Sequence, residues 1–409
     1  MPAARVVIAG AGPVGACAAL ALEAEGIPVL LVDARAGPAP RDDRTLALSH
    51  GSRLILERLR VWSHVRAATS IQSIHVSQRG AFGRTRLAAA ELGIPALGYV
   101  TAYSDLSEAV DFAVAARHLR VVRSARVTGT TLQPDAVAVQ IEREGACSTC
   151  DAALLVRAEG SPADESTDRP STLRDYGQFA VTADVRTDHP HAGIAYERFT
   201  PDGPIALLSK GDGFGIVWTL PVEIAERVRA LDDDAFLAAL GAAFGSRAGR
   251  FVHAGPRSAF PLRLQVHPDR GSPRTTRIGN AAQTLHPVAG QGFNLGLRDA
   301  FELARAVGAA VADPGAPATI AAFERQRQPD RSRAVHITDA MVRAFSFGDP
   351  VFSVARGIGL TALDVVPPLR RAFARQMTFG KRGGGSGSGR TTIGPGSGSG
   401  VDSPGSGSE

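Results

Sequence analysis

Between Ala4 and Arg35 the segment ARVVIAGAGPVGACAALALEAEGIPVLLVDAR holds two short continuous apolar runs, separated by a stretch whose apolar residues recur at helical spacing. A strand buried on both faces needs a continuous apolar run, so the pattern predicts strand, glycine turn, helix and strand, a βαβ unit opening an α/β domain. SHGSRLILERL predicts a second helix, the stretch from Gln72 to about Gly98 strand and loop, and SDLSEAVDFAVAA a capped helix from Ser104. LRVVRSARVTG and AVAVQIE alternate apolar and polar residues, as in a β meander, and AALLVRAEG is another buried strand ending at a glycine turn. From about Tyr176 to Leu264 strand patterns dominate, with one or two helices around Ala225 to Phe244, which suggests a separate sheet inserted into the first domain. The chain returns at TTRIGNAAQ, and helices fill the rest to about Met377.

Composition narrows this picture. The chain of 409 residues is 44% hydrophobic and 21% charged, enough for two sub-domains with a buried core. Its formal net charge of +5 comes almost wholly from arginine, since the only lysines are Lys210 and Lys381. The arginines are scattered rather than clustered, which argues against a nucleic-acid surface but favours anionic cofactors and an anionic membrane face. Cys17 falls in an apolar helix pattern; Cys147 and Cys150 have the spacing of half a zinc site, with no second half, so no metal is expected. No charged n-region and cleavage site precedes the first strand and no apolar run reaches spanning length. The expectation is a cytoplasmic protein, or one peripheral on the inner face of a membrane. From Gly383 to Glu409 the chain is Gly/Ser-rich and cannot bury a core.

The turn GAGPVG sets Gly10, Gly12 and Gly15 between the first strand and the first helix. Gly10 permits the tight turn, Gly12 lets main chain approach a pyrophosphate, and Gly15 allows close helix–strand packing. The helix N-terminus adds unpaired N–H groups for the phosphates. Asp33 ends the second strand, where a carboxylate can accept from ribose hydroxyls, and Arg44 follows, suited to a pyrophosphate or to an acidic neighbour. A second glycine cluster, RIGNAAQTLHPVAGQGFNLGLRDAFELA, surrounds His286-Pro287 just before a helix. Glycines so placed suit a flat, partly anionic ligand lying against main chain. Two such turns far apart in sequence are what a long cofactor with two recognised ends requires.

This second cluster closely resembles the signature of the ubiquinone-biosynthesis flavin hydroxylases, within the class A FAD-dependent aromatic monooxygenases. DRTLALSHGS, RDYGQFAVTADV, AYERFTPDGPIALL and FERQRQPDRSRAVHITDAMVRAFS resemble further family segments, so the likeness covers nearly all of the chain to about Met377. The 2-polyprenyl-6-methoxyphenol hydroxylase branch is the most similar. The resemblance implies an α/β fold with a Rossmann-like FAD-binding domain of the p-hydroxybenzoate hydroxylase type, an inserted mixed β-sheet substrate domain and a helical C-terminal region. Residues 1–70, 99–175 and 273–346 would form the FAD-binding domain, 71–98 and 176–272 the substrate domain, 347–382 the C-terminal helices and 383–409 the tail.

The implied roles follow residue by residue. Gly10, Gly12, Gly15 and Asp33 would hold the ADP half of FAD, and Arg44 would reach the pyrophosphate. Gly279 and Asn280 would meet the ribityl chain, and Pro287, Gly290, Gln291, Gly292 and Asn294 the isoalloxazine ring. His286 is the catalytic candidate, as a proton shuttle or as a brace of the loop. Asn280 and the Glu159-Gly160 pair stand where the wider class has Asp and Asp-Gly. The implied reaction is hydroxylation of a polyprenylated phenol with NADH or NADPH and O2 through a C4a-hydroperoxyflavin. A membrane surface and other ubiquinone-biosynthesis proteins are candidate partners. The alternatives are a monooxygenase or dehydrogenase on another aromatic, or a non-catalytic FAD-binding subunit.

Overall fold

The structure, a computed structural model, describes residues 5–37, 44–160, 172–267, 273–285, 290–346 and 350–380, with backbone only for 340–346 and 350–353. A parallel five-stranded sheet runs in the order Thr275–Arg277, Leu154–Arg157, Val6–Ala9, Val29–Val32, Arg120–Val122. Its central strands are buried on both faces, which is why their sequences are continuously apolar rather than alternating. Val6 and Ile8 point into a core shared with the helices Pro13–Ala24, Tyr103–Ala116 and Gln291–Gly308. Val7 and Ala9 point the other way, onto an antiparallel meander of Ala125–Leu132, Val137–Arg143 and Ala146–Ala152. Cys147 is exposed and Cys150 buried on the last of these strands, so the two sulfurs face apart.

The helix Tyr103–Ala116 begins one residue before Ser104 and has no side-chain cap. The reason is its entry: the strand Gly98–Ala102 runs straight into it, and the Tyr103 N–H donates to the Arg44 carbonyl at 2.9 Å.

A second, mixed sheet of nine strands contains Ser73–Gln78, Arg84–Ala88, Thr172–Thr187, Ile194–Thr200, Gly203–Lys210, Gly213–Pro221, Phe251–Ala254, Ser258–Val266 and Gln283–Thr284. Its longest strand, Thr172–Thr187, starts four residues ahead of the Tyr176 that strand patterning indicates. Alternation separates the two faces: Ile205, Leu207, Ile216 and Trp218 pack on the helices Val222–Ala230 and Asp233–Phe244. Ala206, Leu208 and Val217 turn to the opposite side, toward the first domain. A small antiparallel sheet of Thr45–Ser49, Thr69–Ile71 and Gly98–Ala102 stands beside it.

At the C-terminal side the helices Pro350–Val365 and Pro367–Phe379 meet at Val366, where the proline pair ends the first helix and starts the second. Phe373 and Ala374 pack on Leu87, Ala89 and Leu97. No described helix is long and apolar enough to cross a membrane.

Candidate active site

The first glycine turn leaves the strand Val6–Ala9 at its carboxyl end. Gly10 sits at φ +99°, and a β-carbon there would stand 2.5 Å from the Ala158 carbonyl oxygen. A β-carbon on Gly15 would come within 2.0 Å of the Gly10 carbonyl oxygen. Gly12 differs: a β-carbon on it would meet nothing within 4 Å, so this position is small for something other than the protein's own packing. Gly12 is also the N-cap of the helix Pro13–Ala24 and offers no side-chain cap, leaving N–H groups to face a ligand.

Asp33 is 4% exposed and saturated with donors. Its Oδ2 accepts from the Ala11 N–H at 2.8 Å and from Arg35 Nη2 at 2.8 Å; its Oδ1 accepts from the Arg35 N–H at 2.8 Å and Nε at 3.0 Å. Burial pushes this carboxyl up, but the bonds from Arg35 and Ala11 outweigh it and hold the group below its ordinary range. Arg35 was not singled out from sequence; the signal was the two-residue offset from Asp33, which in extended backbone puts both side chains on one side.

The second turn is built from Gly279, at φ +59° against Val14, and Gly290, a left-handed N-cap of the helix Gln291–Gly308 without side-chain cap. A β-carbon on Gly292 would again meet nothing within 4 Å, whereas one on Gly296 would press on Gly279 and Val14 at 3.0 Å, where the two glycine-turn helices pack together. Asn294 is 2% exposed. Its Oδ1 accepts from the Ser49 N–H at 2.8 Å and the Ser52 hydroxyl at 2.7 Å. Its Nδ2 donates to the carbonyls of Ala47 at 2.9 Å and Gly290 at 2.6 Å. The side chain thus ties the turn to the neighbouring strand and helix.

Both turns open on one cavity of about 1310 Å³. That exceeds the roughly 300–1,000 Å³ of ordinary ligand sites, leaving room for more than one organic molecule. Gly10, Gly12, Asp33, Arg44, Asn280, Gly290 and Gly292 line it, together with Arg35 and Glu159. Gly15, Gly279 and Asn294 are not on this wall, Gln291 lines a separate small cavity beside Arg298 and Asp330, and His286 and Pro287 fall outside the described residues. Arg44 lies over the rings of Tyr103 and Phe260, 5.4 and 5.3 Å from their centroids. Glu159 accepts from Arg157 Nε at 3.0 Å. This polar portion sits at the carboxyl ends of the parallel strands, where open α/β sheets bind ligands. The remaining wall is apolar: the free face of the nine-stranded sheet, closed over by Leu360, Leu363, Phe373 and Met377 of the C-terminal helices.

The chain's residue pattern fits a flavin dinucleotide. Two helix N-termini without side-chain caps converge on one cavity, and at each a glycine is open to that cavity. Residues 3–338 match the family model described as FAD binding domain. Ubiquinone hydroxylase UbiL of Rhodospirillum rubrum is 33% identical over 394 residues, 91% of this chain and 89% of that protein. The 3-demethoxyubiquinol 3-hydroxylase of Escherichia coli is 29% identical over 389 residues, 90% of this chain and 96% of that one. The crystal structure of p-nitrophenol 4-monooxygenase PnpA from Pseudomonas putida superposes with a TM-score of 0.75 at 17% identity, covering 93% and 99% of the two chains, a likeness of fold. Fold, cavity and relatives define an FAD-dependent monooxygenase. The chain belongs to the FAD binding domain family.

Proposed function

We propose that the protein hydroxylates a polyprenylated phenol of ubiquinone biosynthesis, with NADH or NADPH as reductant and O2 as oxidant. The observation that carries this reading is the continuity of one cavity from the polar glycine turns to a broad apolar wall. A prenyl tail needs such a wall, because each methylene withdrawn from water contributes about 0.8 kcal/mol. The relatives named above as ubiquinone-pathway hydroxylases support the same substrate class.

Within this reading Gly12 and the N-terminus of Pro13–Ala24 would receive the pyrophosphate, with Arg44 beside it. The Asp33–Arg35 pair would meet the ribose as a unit, since the four hydrogen bonds from Ala11 and Arg35 already occupy both oxygens of Asp33. Gly290 and Gly292 would lie against the ring, and the positive end of the helix Gln291–Gly308 would favour its anionic form. The bound flavin supplies electron storage and oxygen activation; the protein supplies position, polarity and the exclusion of water.

The test is to load the purified full chain with FAD and follow NAD(P)H and O2 consumption with and without a prenylated phenol. The expected result is consumption that rises with the phenol and yields a product one oxygen atom heavier. Oxidation that ignores O2, or phenol returned unchanged, would overturn the reading.

A further inference from the structure

We propose that Glu197 is the general base of this hydroxylation: its carboxylate accepts the hydrogen bond, and then the proton, of the substrate's phenolic hydroxyl. The inference rests on the function proposed above and assigns a residue to it.

The strand Ile194–Thr200 alternates across the nine-stranded sheet. Tyr196 and Arg198 turn toward the helices, where both meet the Phe244 ring. Ala195, Glu197 and Phe199 turn into the cavity. Glu197 pairs across the sheet with Val76 on one side and Ala206 on the other, and the same row continues to Thr85 and Val217. Among the described sheet residues that line the cavity, Glu197 is the only carboxylate, and it has no hydrogen-bond or ion-pair partner among the described residues. Burial alone, with no charged neighbour contributing, pushes this carboxyl up to about 7.

A second polar atom on the row points the same way. Thr85 is 1% exposed, and its Oγ1 is buried without a hydrogen-bond partner among the described residues. Two unmatched polar groups on one apolar row are costly unless something polar enters between them. A lipophilic molecule with one ring hydroxyl has the required chemistry.

The other charged groups around Glu197 are directed elsewhere. Arg84 and Arg86 of the strand Arg84–Ala88, Arg198 of Glu197's own strand and Arg247, beyond the helix Asp233–Phe244, act on His75, and Lys210 pairs with Asp184. From the C-terminal helices Arg356 bonds Gln78 and Arg370 pairs with Glu91. Asp33, Arg35, Arg44, Arg126, Arg157, Glu159 and Arg277 line the nucleotide portion. In the step itself the phenolic O–H bond breaks, its electron pair stays on oxygen and enriches the ring, and the proton bonds to Glu197. That proton is given up when the second atom of O2 leaves as water, the reducing electrons coming from NAD(P)H.

The experiment uses the FAD-loaded full chain and two probes, a phenol with a short prenyl tail and its O-methyl ether, on both sides of pH 7. The wild-type protein is expected to bind the phenol about tenfold or more tightly than the ether above that pH and to lose the preference below it. Its hydroxylation rate should rise through the same pH. Glu197→Gln should keep bound FAD, lose both pH dependences and fall roughly 100-fold or more in kcat. Glu197→Asp, which retains a carboxylate, should restore the pH dependence. If Glu197→Gln matches the wild-type rate and profile while the wild type hydroxylates the phenol, Glu197 is only wall and the proposed function still stands. If the wild type hydroxylates no prenylated phenol at any pH, the proposed function falls and takes this role with it.

Discussion

Arg331 and Asp299 form an ion pair in which neither side chain is more than 1% exposed, with Arg331 Nη2 3.1 Å from Asp299 Oδ2. Asp299 lies on the helix that begins at the second glycine turn, and Arg331 on the long helix Pro317–Ser346 that follows it. Arg327 joins the same carboxylate at 2.7 Å and also reaches Asp330, which takes Arg298 at 2.9 Å. Arg331 Nη2 further donates to the Arg277 carbonyl, at the end of the outer strand of the parallel sheet. The network therefore fixes the direction of the helix whose N-terminus faces the cavity.

Asp299→Asn is expected to cost about 3–5 kcal/mol, because it takes from two buried guanidinium groups the carboxylate they share, leaving Arg327 only Asp330 and Arg331 only Glu324. Denaturant unfolding measures this, and a loss below 1 kcal/mol would mean the helices hold their angle without the pair. The pH dependence has a definite sign. Burial would raise Asp299, but Arg331 and Arg327 outweigh it and hold the carboxyl below its ordinary range. The stabilisation is thus complete above the unfolded value of about 4 and is lost as pH falls through the lower folded value.

The glycines of the two turns divide into those whose β-carbon would strike protein and those open to the cavity, and substitution by alanine separates them. Gly15→Ala and Gly10→Ala place a β-carbon against backbone oxygen and should destabilise the protein even without FAD, by about 1–3 kcal/mol or more. Gly12→Ala and Gly292→Ala meet no atom of the described residues within 4 Å, so the apoprotein should melt within about 1 kcal/mol of wild type. Their FAD affinity should nevertheless fall at least about tenfold. Apoprotein melts paired with flavin titrations decide, and equal affinity in Gly292→Ala would remove the second turn from the cofactor's surface.

Much of this division was legible in the sequence because strand, turn and helix follow one another within thirty-odd residues and each imposes its own period. What was not legible depends on partners far apart in the chain. Asn294 carries the spacing of a cofactor loop, yet its four hydrogen bonds go to Ala47, Ser49, Ser52 and Gly290, and nothing in the sequence links it to the first three. Glu197 sits in an alternating strand, which tells that it faces away from Tyr196 but not that Val76, from more than a hundred residues earlier, lies beside it. The direct entry of Gly98–Ala102 into a helix likewise hid the absence of a cap at Ser104.

Asp33 and Arg35 should act as one unit. Removing Asp33 takes the carboxylate from the Arg35 guanidinium, and removing Arg35 leaves a buried carboxylate on the cavity wall without its counter-charge. Asp33→Ala and Arg35→Ala should each weaken FAD binding about tenfold to a hundredfold, on the scale of a charged hydrogen bond. The double variant should lose less than the sum, with a coupling of about 0.5–3 kcal/mol. Additive losses in that cycle would show that the two side chains meet the ligand independently.

The C-terminal helices carry an apolar stripe that the other described residues leave exposed. Val354, Ile358, Val365 and Leu369 are 50%, 59%, 70% and 48% exposed, while Leu360, Leu363, Phe373 and Met377 of the same two helices line the cavity. One pair of helices thus joins the outer surface to the apolar wall. A prenylated substrate seldom leaves a bilayer, so we propose that this stripe rests on an anionic membrane, with Arg371 and Arg375 alongside. Each basic residue near anionic lipid contributes about 1 kcal/mol. Truncation before these helices would strip the cavity of its cover, so substitution is the cleaner test. Ile358→Ser combined with Leu369→Ser, and separately Arg371→Gln with Arg375→Gln, should leave FAD content intact and reduce sedimentation with anionic liposomes. The arginine pair should lose about 2 kcal/mol of binding by the same scale, an effect that vanishes in high salt. Equal failure of wild type and variants to sediment, with every protein folded and flavin-loaded, would leave the stripe as nothing more than exposed surface.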